Sequence, residues 1–415
     1  MVSVRLNHSL CRWVLCVSLL TVSACEAADP VTDLQLRSIP EIPVPGYLES
    51  ILDPTFGTTI TRITGVPGDS IIGANPSLEG VWSDIARHGY SKRSPWNCDQ
   101  SLLLLGRHKG TPPMLFLDGQ TYEPVFGRRA SFTEARWHVS RPSHMVFIHH
   151  NTLGLWNVRT DAIDTLQVFD GYADLHIGPW EGNLSTDGRM IVLVGTHDQQ
   201  TVAFAYNLHS KTQHPDLLLP GVDVDWASAS ASGKYIVVNG DWEGHNDQTQ
   251  VYDLAGQPMG ARWRSYGRPS HYDLTLDGEG EDVAVGVSKS APDEGRVIMR
   301  RLRDGRVTVL TDGGYASHAS TRNVGLPGWA FVTYQNLGPT FPPYWNEIVA
   351  VALAGGMVKR LAHLHAVRTD YEAESHAVPS PDGRRVLFAS NWATPADSAG
   401  DGRPVATYVV RLPDH

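Results

Sequence analysis

The sequence predicts an all-β fold, a seven-bladed β-propeller with four antiparallel strands in each blade. Three observations support this fold class. A short turn-and-strand unit recurs along the chain, its spacing is nearly constant, and no stretch after the N-terminus shows convincing helical periodicity. The clearest copies are STDGRMIVLVG at 185–195, SASGKYIVVNG at 230–240 and SPDGRRVLFAS at 380–390.

The spacing of this unit sets the number of blades. With one turn residue of each copy as an anchor, successive anchors lie 43, 45, 45, 45, 50 and 55 residues apart. Four strands in a unit of this length indicate a propeller blade, whereas two tandem β-sandwiches would not give a constant four-strand period. We expect an early strand over 58–63 to close the ring by joining the last blade, which contains 405–412. The anchors are Asp99, Pro142, Asp187, Ser232, Asp277, Pro327 and Asp382.

The first 27 residues have the layout of a secretory signal peptide. Arg5 and Arg12 provide a positive start, and the apolar run at 13–22 is too short to span a bilayer. The tetrapeptide VSAC at 22–25 also resembles a bacterial lipobox, which would place a lipid anchor on Cys25. We therefore predict a signal peptide over 1–27 and a propeller over 28–415, secreted or periplasmic and with no membrane span. Only Cys98 certainly remains after cleavage, so an intramolecular disulfide framework is excluded.

The charge balance disfavours a nucleic-acid partner. The chain has 34 Lys and Arg against 44 Asp and Glu, and no basic block occurs anywhere. We expect a monomer.

Equivalent positions in successive blades form a ring around the propeller axis, where ligands commonly bind. The residue six positions before each anchor is polar in six of the seven copies. Residues with a purely structural role at the crowded axis would instead be Val, Ala or Gly. The ring consists of Arg93, Arg136, Glu181, Trp226, His271, Thr321 and His376.

Three histidines of neighbouring blades are candidates for a metal site. His271 and His376 belong to this ring, and His318 lies nine residues before its anchor. Neutral imidazole suits zinc, manganese and related divalent ions, and Glu372 or Glu374 could add an oxygen ligand. We predict a divalent metal ion (zinc, manganese or calcium). The alternative is that these residues are separate, hydrogen-bonded side chains in the loop layer.

A second cluster of polar and aromatic residues lies in the first blade and its neighbours. Aromatic rings offer stacking surfaces for sugars, and arginine can hold a carboxylate with two hydrogen bonds. No nucleophile elbow, phosphate-binding loop or dinucleotide fingerprint occurs. The cluster comprises His88, Tyr90, Arg93, Trp96, His108, His149, His150 and, from the fourth and fifth blades, His245 and Arg268.

Histidine, tyrosine and arginine around a cleft favour β-elimination from a uronic acid. A cation neutralises the C6 carboxylate, a base of near-neutral pKa removes the C5 proton, and an acid protonates the leaving O4.

Four blocks of the sequence resemble those of seven-bladed propeller polysaccharide lyases, the group of ulvan lyases, oligogalacturonate lyase and rhamnose–glucuronate lyases. The resemblance implies that His88 and His108 lie in the catalytic mouth and that His271, His318 and His376 bind the metal. Thr321 stands where members of the group often carry Cys, and His149-His150 stand where a catalytic Tyr is expected. The blocks are RHGYSKRSPWNCDQSLLLL, SHYDLTLDGEGEDVAVG, SHASTRNVGLPGWAFVT and ESHAVPSPDGRRVLFASNW.

The sequence thus predicts an exported lyase acting on an acidic polysaccharide or oligosaccharide. We expect His88 or His108 as the base, with His150 as a further catalytic candidate. Substrate binding is assigned to Arg93, Arg136, Arg268, Trp96 and Tyr90. Two alternatives stay open: a propeller glycosidase acting on a rhamnose–uronate linkage, and a non-catalytic propeller of the TolB type.

Overall fold

Seven antiparallel sheets arranged as a propeller, together with one two-stranded pair, make up the described part of the chain in this computed structural model. The structure describes residue 1 and residues 30–73, 79–132, 134–335, 342–393 and 403–412. The predicted signal peptide and Cys25 lie outside the described residues. Within those ranges thirty strands and no helix occur, so no helix there is long and apolar enough to cross a membrane.

The strands are short, and most of them alternate or bury both faces. In chain order they are β1 (Ser50–Leu52), β2 (Thr59–Arg62), β3 (Ala86–Arg87), β4 (Leu102–Leu105), β5 (Arg107–His108), β6 (Met114–Asp118), β7 (Pro124–Arg128), β8 (Glu134–Trp137), β9 (His144–His149), β10 (Thr152–Asn157), β11 (Ala162–Val168), β12 (Tyr172–His176), β13 (Met190–His197), β14 (Gln200–Asn207), β15 (Thr212–Gln213), β16 (Leu217–Leu218), β17 (Val222–Ala229), β18 (Tyr235–Trp242), β19 (His245–Asp253), β20 (Pro269–Leu276), β21 (Asp282–Ser288), β22 (Val297–Arg301), β23 (Val307–Val309), β24 (His318–Ser320), β25 (Trp329–Tyr334), β26 (Glu347–Ala352), β27 (Val358–His363), β28 (Val378–Pro379), β29 (Arg385–Ser390) and β30 (Ala406–Arg411).

Each blade is one sheet, and the blades contain three to five strands. Blade 1 is β4-β6-β7, blade 2 is β8–β11, blade 3 is β12–β16, blade 4 is β17–β19, blade 5 is β20–β23 and blade 6 is β24–β27. Blade 7 runs β28-β29-β30-β2-β1, and a two-stranded pair, β3-β5, accompanies blade 1. The predicted fold is confirmed, but the strand number varies around the uniform four. Blade 1 lacks a regular inner strand, where Pro95 has no N–H to donate and Trp96 forms a single bridge with Leu103.

The ring closes through the N-terminal strand, as the sequence predicts. Strand β2 pairs antiparallel with β30, with Thr59 opposite Arg411 and Arg62 opposite Tyr408. The last blade therefore takes its outer strands from the start of the chain.

Seven buried apolar clusters lie between adjacent blades and supply the core. Blades 5 and 6, for example, share a cluster containing Val285 and Val332, while blades 7 and 1 share one containing Leu387 and Leu103. The other five clusters join the remaining neighbouring pairs. Because every blade buries both faces against its neighbours, the apolar surface removed from water stabilises the ring as a whole.

The recurring turn has a local physical cause. In blade 3 the Asp187 carboxylate accepts hydrogen bonds from Ser185 Oγ and Arg189 N at 2.6 and 3.0 Å, and Gly188 has a φ of 70°. Glycine adopts this left-handed conformation without a steric penalty, and the aspartate caps the turn. Where the Ser-x-Asp-Gly pattern occurs, it therefore predicts the turn that follows the inner strand of a blade.

Candidate active site in the central channel

Irregular starts of the inner strands present side chains to the central channel. The register shifts between Ala173 and His176 in β12 and between Ser270 and Asp273 in β20. Such bulges redirect side chains out of the regular alternation. His271 and His376 also have positive φ values of 47° and 42°, which non-glycine residues adopt only where the surroundings enforce them.

A buried group of three potential metal ligands lies at this end of blades 6 and 7. One ligand atom from each of His318, Glu374 and His376 lies within 4.8 Å of the others. The Glu374 Oε2 atom is 3.2 Å from His376 Nε2 and 3.7 Å from His318 Nε2. Both ring nitrogens of His376 are buried without a hydrogen-bond partner. Such an orphaned imidazole, next to a second histidine and a carboxylate, fits a divalent cation.

The ionisation of the two histidines suits this role. Burial lowers the pKa of His318 and His376 well below the usual value, and the neighbouring imidazoles add to this effect. Both rings are therefore neutral near pH 7, which is the form that binds metal. Burial also raises the pKa of Glu374, while the Arg368 guanidinium, 2.5 Å from its other oxygen, opposes that rise.

His271 lies beside this group, as predicted, but Glu374 takes its place among the three clustered ligands. The His271 ring stacks on the His318 ring with centroids 4.5 Å apart. The Nδ1–H group donates to the carbonyl oxygen of Ser317 at 2.8 Å, which leaves Nε2 as the unprotonated nitrogen. His271 is exposed and lines the channel cavity, so this lone pair is accessible to a ligand.

The cavity above these residues has a volume of about 360 Å³. Most of its charged groups are in ion pairs: Lys92 Nζ lies 2.5 Å from Glu181 and 3.5 Å from the centre of the Trp226 ring. Arg268 donates two hydrogen bonds to Asp247, one of them 2.7 Å long. The lining residues are Tyr90, Lys92, Glu181, Asp225, Trp226, Asn239, Asp247, Arg268, Ser270, His271, Tyr272, His318, Tyr371 and Glu374.

Tyr90 occupies the wall next to the imidazoles. Its ring centre lies 4.7 Å from that of His376 and 5.3 Å from that of His318. Burial, with the nearby Glu181 carboxylate, raises the pKa of Tyr90 well above its usual value. The phenol therefore keeps its proton near pH 7 and can act as a proton donor.

His88 is buried behind the ligand group rather than at the mouth. Its side chain is 0% exposed, and its Nε2–H donates to the carbonyl oxygen of His376 at 2.7 Å. Burial and the adjacent Arg87 lower the pKa of His88 to about 3. This position supports the backbone of His376, a candidate metal ligand, and a buried imidazole of this low pKa does not suit the predicted role as base.

His108 and His150 lie away from the cavity lining. The His108 ring has both nitrogens engaged, since Nδ1–H donates to Pro112 O at 2.6 Å and Nε2 accepts from Ser83 N at 3.3 Å. His150 is exposed at the β9–β10 turn, where its ring lies against His149 with centroids 4.2 Å apart. The catalytic role predicted for these residues stays a prediction, and the histidines that line the cavity are His271 and His318.

The remaining predicted contacts divide between the cavity and its surroundings. Tyr90 and Arg268 line the cavity, whereas Arg93 and Arg136 line a neighbouring cleft. Trp96 is 1% exposed and donates its indole N–H to Gly119 O, so it packs in the core instead of presenting a sugar-stacking face.

Several cavity residues carry no signal in the sequence repeat. Tyr371 and Asp247 occupy no ring position and follow no motif, and only contact with the cavity reveals them. Two other residues could be found from the sequence. Glu374 lies two residues before His376, and Glu181 is the ring member of blade 3.

No protein-family model matches the chain, and no curated protein sequence matches it. Solved structures share its fold. An oligogalacturonate lyase in complex with manganese aligns with a TM-score of 0.60 at 14% identity, covering 89% of this chain and 97% of that one. The oligogalacturonate lyase of Vibrio parahaemolyticus aligns with a TM-score of 0.59 at 11% identity, covering 89% and 98%. At these identities the likeness establishes the propeller fold.

Proposed function

We propose that this protein is a lyase that cleaves a uronate-containing polysaccharide or oligosaccharide by β-elimination. The proposal depends on one arrangement: a buried His-Glu-His group, suited to a divalent cation, directly beside an accessible histidine of fixed tautomer. The folds of two oligogalacturonate lyases support the same reaction class.

His318, Glu374 and His376 would hold the divalent ion. When bound, such an ion neutralises a uronate carboxylate and so lowers the pKa of the adjacent C5 proton. The donor set favours manganese or zinc over calcium, because calcium prefers oxygen ligands alone. His88 would act as a positioning residue through its hydrogen bond to the His376 carbonyl oxygen.

His271 is the proposed base and Tyr90 the proposed acid. The Nε2 lone pair of His271 takes the C5 proton, the electrons of the C5–H bond form the C4=C5 double bond, and the C4–O4 bond breaks. The Tyr90 hydroxyl then gives its proton to the leaving O4, so that no covalent nucleophile is required. Arg268, held in place by Asp247, would orient the acidic sugar in the cavity.

The first experiment follows the ultraviolet absorbance of unsaturated uronate during incubation with pectate, oligogalacturonate, ulvan, gum arabic and glucuronan. Absorbance that rises with wild type and with His209→Ala, but not with His271→Ala, supports the proposal. His209 lies on an exposed turn of blade 3 and serves as the matched control. Reducing ends released without unsaturated product would identify a glycosidase. A glycan bound equally well by all three proteins, with no cleavage, would identify a binding propeller of the TolB type.

Export of the protein also belongs to this proposal, and the N-terminal charge and apolar pattern supports it. A monomeric state is proposed with it. Cell fractionation and mass spectrometry of the mature N-terminus would distinguish a soluble exported form from one lipidated at Cys25, and size-exclusion chromatography with light scattering would give the oligomeric state.

A further inference from the structure

A cleft of about 320 Å³ is lined mainly by residues of blades 1, 2 and 3. The inner segment of blade 1, which contributes to this lining, forms no regular strand. Trp180 lines this cleft, and the next residue, Glu181, lines the central cavity. One loop therefore contributes neighbouring residues to both spaces.

Trp180 is held in a solvent-facing position by buried charges. The residue is 52% exposed, and its backbone has a φ of 65°. Its N–H donates to Glu134 Oε1 at 3.0 Å, and its carbonyl oxygen accepts from Arg136 Nη2 at 2.8 Å. Glu134 and Arg136 are themselves buried and paired at 2.9 Å. These bonds fix the Trp180 backbone from both sides, so ordering this segment costs little entropy when a ligand binds. The indole itself lies against the His176 ring, with centroids 5.5 Å apart.

Arg93 adds a cationic group to the same cleft. Its Nε and Nη2 donate to the Trp180 carbonyl oxygen, with Nε at 2.8 Å. Its Nη1 group makes no hydrogen bond to any residue that the structure describes, and the partly buried side chain lines the cleft. A guanidinium next to an exposed aromatic face suits an acidic sugar, whose ring stacks while its carboxylate is bound.

We infer that Trp180 and Arg93 form a subsite for a second uronic acid residue of an oligosaccharide. The indole stacks on the sugar ring, and the Arg93 guanidinium binds its carboxylate. This inference rests on the proposed function, since the first sugar residue occupies the cavity beside His271. It assigns the protein a preference for chains over single uronic acids.

The test measures equilibrium binding by calorimetry, with His271→Ala present in every protein so that the proposed lyase does not cleave the probes during the titration. The probes are galacturonate, trigalacturonate and its methyl ester, titrated into the protein with wild-type Trp180 and Arg93, Trp180→Ala, Arg93→Gln and Ile163→Ala. Ile163 lies on the outermost strand of blade 2, is 53% exposed and serves as the apolar surface control. Circular dichroism melting checks that each variant is folded, and Trp180→Phe, which keeps an aromatic face, checks that a loss in Trp180→Ala comes from stacking.

We expect Trp180→Ala to weaken trigalacturonate and its ester about tenfold, equivalent to ~1.4 kcal/mol. Arg93→Gln should weaken the acid form alone, and neither variant should change galacturonate binding. Equal affinities in all four proteins, or no binding of trigalacturonate to the protein with wild-type Trp180 and Arg93, would overturn the subsite. If trigalacturonate binds with these losses but is never cleaved by wild type, the subsite stands and the lyase proposal fails.

Discussion

Replacing His365 by asparagine should remove one source of acid sensitivity from the fold. The His365 side chain is 2% exposed, stacks on the Trp392 ring at 4.4 Å, and has a buried Nε2 without a hydrogen-bond partner. Burial lowers its pKa from 6.5 to about 4, and the nearby His363 adds to the effect. Asparagine does not titrate and tolerates the positive φ of 45° at this position.

The sign and the size of the effect follow from proton linkage. The folded state keeps His365 neutral while the unfolded chain binds a proton below pH 6.5, so stability falls as the pH drops from 6.5 towards about 4. Between about pH 7.5 and pH 5, this one group removes about 2 kcal/mol from the free energy of unfolding. Other buried histidines add their own losses, which the substitution leaves in place.

The assay is urea unfolding followed by tryptophan fluorescence at both pH values, with a chelator present throughout. The loss of unfolding free energy on acidification should be about 2 kcal/mol smaller in His365→Asn than in wild type. His209→Asn, at an exposed turn, should lose as much as wild type does. A His365→Asn protein that loses as much as wild type, to within about 0.5 kcal/mol, would refute a buried neutral imidazole at this position.

Three further outcomes are expected. His271→Ala should lower kcat for unsaturated product about 10²- to 10⁴-fold, measured by ultraviolet absorbance, because it removes the base; an unchanged kcat would exclude His271 from that role. His376→Ala should weaken manganese or zinc binding at least tenfold by metal analysis after dialysis, whereas undiminished metal would place the ion elsewhere. Arg360→Met should lower the free energy of unfolding by about 3–5 kcal/mol, because it leaves the fully buried Glu347 unpaired; a loss below about 1 kcal/mol would contradict that ion pair.

Most of the fold could be predicted from the sequence repeat, because turn chemistry and strand spacing are local properties of the chain. The Asp187 turn and its equivalents predicted seven blades, and the 58–63 segment predicted the closure now seen between β2 and β30. The number of strands in each blade differs from the predicted four because the spacing of the repeat does not show where a strand is interrupted locally. Pro95 in blade 1 is such a case, since it removes a donor from the inner segment.

The candidate site was most predictable where it followed the ring of equivalent positions. His271 and His376 were found in this way, since inner strands of neighbouring blades start at the same end of the channel. His88, His108 and Trp96 were placed at the mouth because spacing gives a position along a strand but not the burial of a side chain. The pairing of β3 with β5 and the packing of blade 1 on blade 7 decide that burial.

Fold stability and the placement of the candidate site residues depend on different parts of each blade. Seven apolar clusters between blades stabilise the ring, so the starts of the inner strands need not be regular. His271, His376 and Trp180 all have left-handed backbones, with φ values of 47°, 42° and 65°. Each costs conformational energy, which the surrounding packing offsets. Fifteen other non-glycine residues of the described chain share a positive φ, among them the core residue His365, so this backbone sets the direction of a side chain at each position and is not by itself a mark of function.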